Sequence, residues 1–103
     1  MTDPQRKLSA AELAEAGLTG WRVTGEALTA TFRTRKFSTG VELVNRIGAS
    51  AEEANHHPDL TLTYPEVRVT LSSHDVGGIT SRDIDLARTI SGHAANLGVT
   101  AME

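Results

Sequence analysis

The sequence contains no cysteine. That excludes a disulfide framework, a thiol nucleophile and a cysteine-ligated zinc site. Aromatics are scarce: Trp21, Phe32, Phe37 and Tyr64 are the whole set, so each is expected to have a defined packing or ligand role. No apolar run approaches the roughly 18 residues that suggest a membrane-spanning helix. The opening "MTDPQRKL" leads into polar residues rather than a signal-peptide core. The expectation is a cytoplasmic protein with no membrane partner. Neither sign of charge dominates: 10 basic and 13 acidic residues are interspersed for a net charge of −3, and no basic face advertises nucleic acid. No repeat, low-complexity tract or linker interrupts the 103 residues. That length suits a single domain, residues 1–103, able to bury a core without metals or disulfides.

What is present begins with three helix start signals. In "LSAAEL", Ser9 stands at an N-cap with Glu12 three residues on, and Leu8 can staple onto Leu13; this helix is expected to stop near Gly17. In "STGVELVNRIGASAEEAN", Thr39 and Glu42 repeat the signal, and Val41, Val44, Ile47 and Ala51 recur at helical spacing as the expected core stripe. Gly48 weakens that helix by about 1 kcal/mol relative to alanine. In "ITSRDIDLARTISGHAANLG", Thr80 and Asp83 form the cap pair, Leu86, Ala87, Ile90, Ala94 and Leu97 the stripe, and Gly98 the stop.

Alternating stretches lie between the helices. "WRVT" and "ALTATF" flank Gly25-Glu26, which reads as a hairpin turn. "LTLTY" sends Leu60, Leu62 and Tyr64 to one face, with Tyr64 read as core. "VRVTLSSH" sends Val67, Val69 and Leu71 to one face and Arg68, Thr70, Ser72 and His74 to the other. Ser73 points away from His74 unless the strand bulges. The predicted fold is α+β: a two-layer sandwich in the order α-β-β-α-β-β-α, with a four-stranded antiparallel sheet and helices packed on one face.

The chemistry centres on "EEANHHPDL", where His56 and His57 stand side by side and Pro58 disfavours helical geometry at His57. By itself the pair is open to three readings: a metal site, an acid–base pair, or polar residues at a helix exit. His74 ends the fourth strand before "DVGG", whose glycines let backbone approach a ligand closely. A hairpin of the third and fourth strands would bring His56, His57 and His74 to one rim of the sheet. Zinc accepts three histidines and a water, but adjacent histidines point in different directions and no HExxH motif is present. His93 falls beside the last helix's stripe and reads as part-buried structure. Trp21 reads as packing.

"HHPDLTLTYPEVRVTLSSHDVGGITSRDIDLA" resembles the signature region of the pterin-4a-carbinolamine dehydratases. Glu52, His56, His57, Pro58, Tyr64, His74 and Asp83 fall in register with it, and the likeness runs upstream through Gly20-Trp21 and "TATFRTRKF". The order of elements is also that family's. One departure stands out: Leu60 occupies the position where the family commonly has tryptophan, which would remove an aromatic wall.

The resemblance implies dehydration of a 4a-hydroxytetrahydropterin to the quinonoid dihydropterin, in tetrahydrobiopterin recycling, without a cofactor or a metal. Hydroxide is a poor leaving group, so an acid must protonate the departing oxygen while a base removes a ring N–H proton. Histidine serves either role near neutral pH. The resemblance implies His56, His57 and His74 as the catalytic set, with His56 and His74 exchanging protons and His57 holding the substrate. Pro58, Ser73, Asp75 and Val76 are implied to join the histidines in binding it. Glu52, one turn before His56, and Asp83 are the expected supports. Related animal proteins also act as dimerisation cofactors for a transcription factor, so a non-catalytic binding, assembly or coactivator module is the alternative. A homodimer paired along sheet edges is expected, with a tetramer through the central helices as the further step.

Overall fold

A computed structural model describes residues 3–102. The elements are α1 (Ala10–Glu15), β1 (Arg22–Thr24), β2 (Ala27–Arg33), α2 (Phe37–Ala54), β3 (Asp59–Thr63), β4 (Glu66–Leu71), α3 (Ser81–Asn96) and β5 (Thr100–Met102). The sheet is antiparallel and runs β3–β4–β2, with β1 and β5 both on the far edge of β2. β1 pairs with Ala27–Thr29 and β5 with Thr31–Arg33. The α+β sandwich is therefore as expected in order and layers, with one addition. The fifth strand was absent from the reading because three residues are too few to show an alternation. It forms because β1 covers only half of β2 and leaves ladder groups unpaired. Gly20 lets it close: its φ is +86°, and a Cβ there would stand 2.5 Å from Cβ of Ala101.

Alternation along the central strands builds the core. Leu28, Ala30 and Phe32 of β2 and Val67, Val69 and Leu71 of β4 are buried, facing Leu43 and Ile47 of α2 and Leu86, Ala87, Ile90 and Ala94 of α3. Trp21 packs edge-on against Phe32, with ring centroids 6.0 Å apart, and its Nε1 donates to Oγ of Ser91 at 2.9 Å. Its packing role thus also satisfies its polar end. The opposite face of the sheet carries the partly exposed Thr29, Thr31 and Thr70 and the exposed Arg68.

The capping boxes at Ser9/Glu12 and Thr80/Asp83 both form. Three local expectations need correction. α2 starts at Phe37 behind Lys36, without a side-chain cap, so Thr39 and Glu42 lie inside the helix rather than at its start. Its entry is set instead by the β3–β4 turn, where the Pro65 carbonyl accepts from the backbone N–H of both Thr34 and Arg35 at 2.9 Å. The buried stripe is Gly40, Leu43, Ile47 and Ala51, whereas Val41 is exposed and Val44 half-buried. Gly40 explains that rotation: a Cβ would meet Cδ1 of Leu62 at 2.6 Å, so the helix sits against β3 where only glycine fits. Tyr64, read as core, is 69% exposed, because β3 ends at Thr63 and the tyrosine belongs to the turn.

Candidate active site

The site is built around how α2 ends. Asn55 adopts left-handed geometry (φ 50°, ψ 43°), which asparagine tolerates better than most residues. The Asn55 N–H then donates to the carbonyl of Glu52 at 3.2 Å and the His56 N–H to that of Ala51 at 3.1 Å. This is a Schellman closure. It satisfies the last helical carbonyls and turns the chain sharply, so that His56 reaches across to α3 while Pro58 leads into β3.

His56 is paired there with a buried carboxylate. Its Nε2 donates to Oδ1 of Asp83 at 2.6 Å, with side chains 11% and 0% exposed. Oδ2 of Asp83 accepts from Oγ of Ser73 at 2.8 Å and from the backbone N–H of Thr80 at 2.9 Å. A carboxylate only accepts, so the Ser73 proton is committed to it, and Thr80 Oγ1 must donate to Ser73 Oγ across their 2.8 Å contact. One side chain thus joins the end of α2, the exit of β4 and the start of α3. Asp83 is both capping residue and histidine support, the two roles open to it from sequence.

Ser73 is expected against the substrate, in a segment that meets it partly through backbone groups. Its side chain is buried and donates to Asp83. Ser72 points the other way and donates to the carbonyl of Glu26 at 2.9 Å. β4 ends at Leu71, so His74 lies beyond the strand rather than on its polar face. It opens a tight turn closed by the bridge between Ser73 and Gly78. His74 is exposed. Val76, half-buried, donates its N–H to the carbonyl of Ser73 at 3.2 Å.

Asp75 is engaged by Nη2 of Arg82 at 2.8 and 3.1 Å. Those hydrogen bonds, with the guanidinium charge, hold its carboxyl below the usual aspartate range.

Register brings the remaining pieces to the same rim. Asp59 pairs with Thr70, so the chain leaving His57 and Pro58 enters the sheet beside the exit of β4. His57 bonds through Nε2 to Glu52, both side chains exposed. Glu52 was expected to orient His56; it meets His57 because the turn at Asn55 carries His56 away from the helix axis. Leu60 packs partly buried against the core, and His93 bonds through Nε2 to Oγ of Ser50 at 2.7 Å, structural as expected.

Between α2 and α3, His56 opens into a cleft of about 300 Å³ of mixed lining that also holds Ser50, Glu53, Arg82, Asp85, Leu86 and Thr89. A larger apolar hollow of about 670 Å³, between α1 and the β1–β2 hairpin, contains none of the histidines. Of the two, only the smaller cleft holds a histidine, and His57 and His74 lie outside its lining. Among the described residues, no group of three or more His, Asp or Glu side chains is disposed to hold a metal ion. Sequence reasoning missed Asn55, Thr80 as a hydroxyl relay, and Arg82. Asn55 had a signal, an asparagine directly before a His-His-Pro exit, whereas the other two depend on contacts across the fold.

The chain is similar to known proteins. Residues 6–93 match the family model described as pterin 4 alpha carbinolamine dehydratase. A relative from Thermosynechococcus vestitus, provisionally named pterin-4-alpha-carbinolamine dehydratase, is 49% identical over 76 residues, 74% of this chain and 80% of its own. A relative from Thermomicrobium roseum with the same provisional name is 46% identical over 72 residues, 70% of this chain and 77% of its own. A crystal structure of a transcriptional coactivator/pterin dehydratase from Brucella melitensis superposes with a TM-score of 0.83 at 34% identity, covering 86% of this chain and 99% of that one. By sequence and fold, the chain belongs to the pterin-4-alpha-carbinolamine dehydratase family.

Proposed function

We propose that this protein, acting in the cytoplasm, dehydrates a 4a-hydroxytetrahydropterin to the quinonoid dihydropterin and water, as a step of tetrahydrobiopterin recycling. The observation that carries the reading is the His56–Asp83 pair, joined through Ser73 to the turn that presents His74. With Nε2 donating to Asp83, the free lone pair of neutral His56 sits on Nδ1. In this reading Nδ1 takes the ring N–H proton, and Asp83 is the counter-charge of the imidazolium that forms. His74, exposed, gives a proton to the departing oxygen and regains one from solvent. The C4a–O bond breaks with its electrons leaving in water, and the pair released from N–H forms the carbon–nitrogen double bond. His56 then returns its proton to solvent, and atoms and charge balance without an oxidant or reductant. His57, with Pro58 and the backbone of Ser73 to Val76, would line the substrate's approach.

The test is to generate the carbinolamine enzymatically and follow its dehydration with and without the protein, in the presence of a chelator. Catalysis should persist with the chelator. The His56→Ala, His74→Ala double variant, still folded, should lose on the order of 10²-fold or more of the catalysed rate. Unchanged turnover would sink these roles.

The second proposal concerns assembly. Among the described residues β3 pairs only with β4, so the outer edge of its five residues is available to a second copy. The outer face of α2 presents Phe37 and Val41, 49% and 38% exposed, followed by Val44 and Gly48 at alternating spacings of four and three. A Cβ on Gly48 would meet nothing within 4 Å, so nothing inside the protomer requires glycine there. Close approach of a second α2 would. We infer a dimer through β3 that can pair again through α2; light scattering across a dilution series should show no stable monomer at micromolar concentration. The alternative is a coactivator role, as in the name of the Brucella relative, which would use this same face. A binding-only protein would leave the carbinolamine dehydration rate at its background value.

A further inference from the structure

We infer that Arg82 is a positioning residue for the reaction, acting through Asp75 to hold the turn that carries His74. This rests on the dehydratase reading above. His74 makes no side-chain hydrogen bond among the described residues, so its position is set by the backbone of residues 73–78. The base of that turn is well fixed. Ser73 N–H donates to the Gly78 carbonyl at 2.8 Å, Gly78 N–H returns to the Ser73 carbonyl at 3.3 Å, and the Ser73 hydroxyl is anchored on Asp83. The tip has one side-chain anchor, the ion pair between Asp75 and Arg82.

Arg82 is itself oriented before it reaches Asp75. Its Nε donates to Oγ1 of Thr80 at 3.3 Å, and its backbone N–H donates to the same oxygen at 3.3 Å. Thr80 also bonds Ser73. The guanidinium therefore extends from the hydrogen-bond network that holds His56, and its far end grips the residue after His74. Both proton-exchanging histidines are referred to one frame, one through the Asp83 carboxylate and the other through the Arg82 cation. The cation also lines the cleft with His56. Asp75, implied by the resemblance to meet the substrate, is committed to this clamp, its carboxyl held below the usual aspartate range by the Arg82 hydrogen bonds.

An exposed ion pair contributes little to global stability, whereas a small displacement of a reacting group costs up to about 10²-fold in rate. The clamp should therefore appear in turnover and not in the melt. The variants are Arg82→Ala, Arg82→Lys, Asp75→Asn and the exchanged pair Asp75→Arg with Arg82→Asp. Each is measured for kcat and KM on the enzymatically generated carbinolamine, for Tm, and for amide hydrogen exchange across residues 73–78. Arg82→Ala and Asp75→Asn should each lower kcat by about tenfold or more with KM nearly unchanged, and speed exchange at Val76 and Gly78. Arg82→Lys should recover part of the loss, since an ammonium keeps the charge and not the fork. The exchanged pair should return kcat to within about threefold of wild type.

Wild-type kcat in Arg82→Ala would overturn the inference. So would loss in both single variants without recovery in the exchanged pair, which would mean that each residue acts on the substrate directly. If Arg82→Ala fails to fold, Asp75→Asn carries the test, because it leaves the Arg82–Thr80 contacts in place. If the wild-type protein shows no dehydration, the functional reading fails on its own. The clamp then stands or falls on exchange alone: unchanged protection of residues 73–78 in Asp75→Asn refutes it.

Discussion

Replacing Asp83 by asparagine isolates what the buried carboxylate does. The shapes match, so packing is preserved, but the two ends of the side chain are no longer equivalent. Two donors converge on Oδ2, from Ser73 at 2.8 Å and Thr80 at 2.9 Å, and one on Oδ1, from His56 at 2.6 Å. An asparagine has one acceptor oxygen, which should take the two-donor side. Its NH₂ group then faces His56, whose Nε2 must become an acceptor and move its proton to Nδ1. The histidine is left folded, in place, and in the tautomer that cannot take a proton from substrate. Two hydrogen bonds also lose their charge assistance, from roughly 1.5–3 kcal/mol each to about 1, for a total cost of about 2 kcal/mol. For a chain of this size that is a fall in Tm of about 10 °C. The assay pairs urea unfolding with carbinolamine dehydration at a temperature where the variant is fully folded. The expected result is a modest stability loss with a turnover loss of 10²-fold or more. A variant that loses stability yet keeps turnover within about threefold would refute the tautomer argument and leave Asp83 with its capping role alone.

Gly40→Ala should destabilise by about 1–3 kcal/mol in urea unfolding, despite alanine's better helix propensity, because the new methyl meets Leu62 at 2.6 Å. Gly48→Ala should do the opposite to the protomer, stabilising it by about 1 kcal/mol since the position is open, and should shift light scattering towards smaller species if α2 pairs between copies. The first helix should keep its cap deep into acid. Glu12 is held at about 2 by its hydrogen bonds from Arg6 and then from the Ser9 backbone, below an ordinary 4.5. A lowered folded value means that its small contribution is complete above 4.5 and is lost as pH falls towards 2. The Ser9 amide shift in an NMR titration should have its midpoint near 2, and a midpoint near 4.5 would contradict the capping geometry.

Local signals carried much of this protein. The Ser9 and Thr80 caps, the Gly25-Glu26 hairpin and the alternation of β2 and β4 each depend on residues within a few positions of one another, and short-range hydrogen bonding and side-chain periodicity make such features readable. The histidines stood out in the sequence because their spacing resembles a known pattern. Tertiary structure decided the rest, wherever two local solutions were nearly equal and a distant contact chose between them. Thr39 and Glu42 offered a plausible start for α2, but the Pro65 carbonyl took the preceding N–H groups and the helix began earlier. Val41 and Leu43 were both apolar candidates for the core; the approach of Gly40 to Leu62 turned Leu43 inward. Glu52 lay within reach of either adjacent histidine, and one left-handed residue, Asn55, sent His56 to Asp83 and left His57 to Glu52. The Arg82–Asp75 contact belongs to the same class. It joins a helix start to a turn seven residues away, and only the folded chain shows which of the free charges on each side meet.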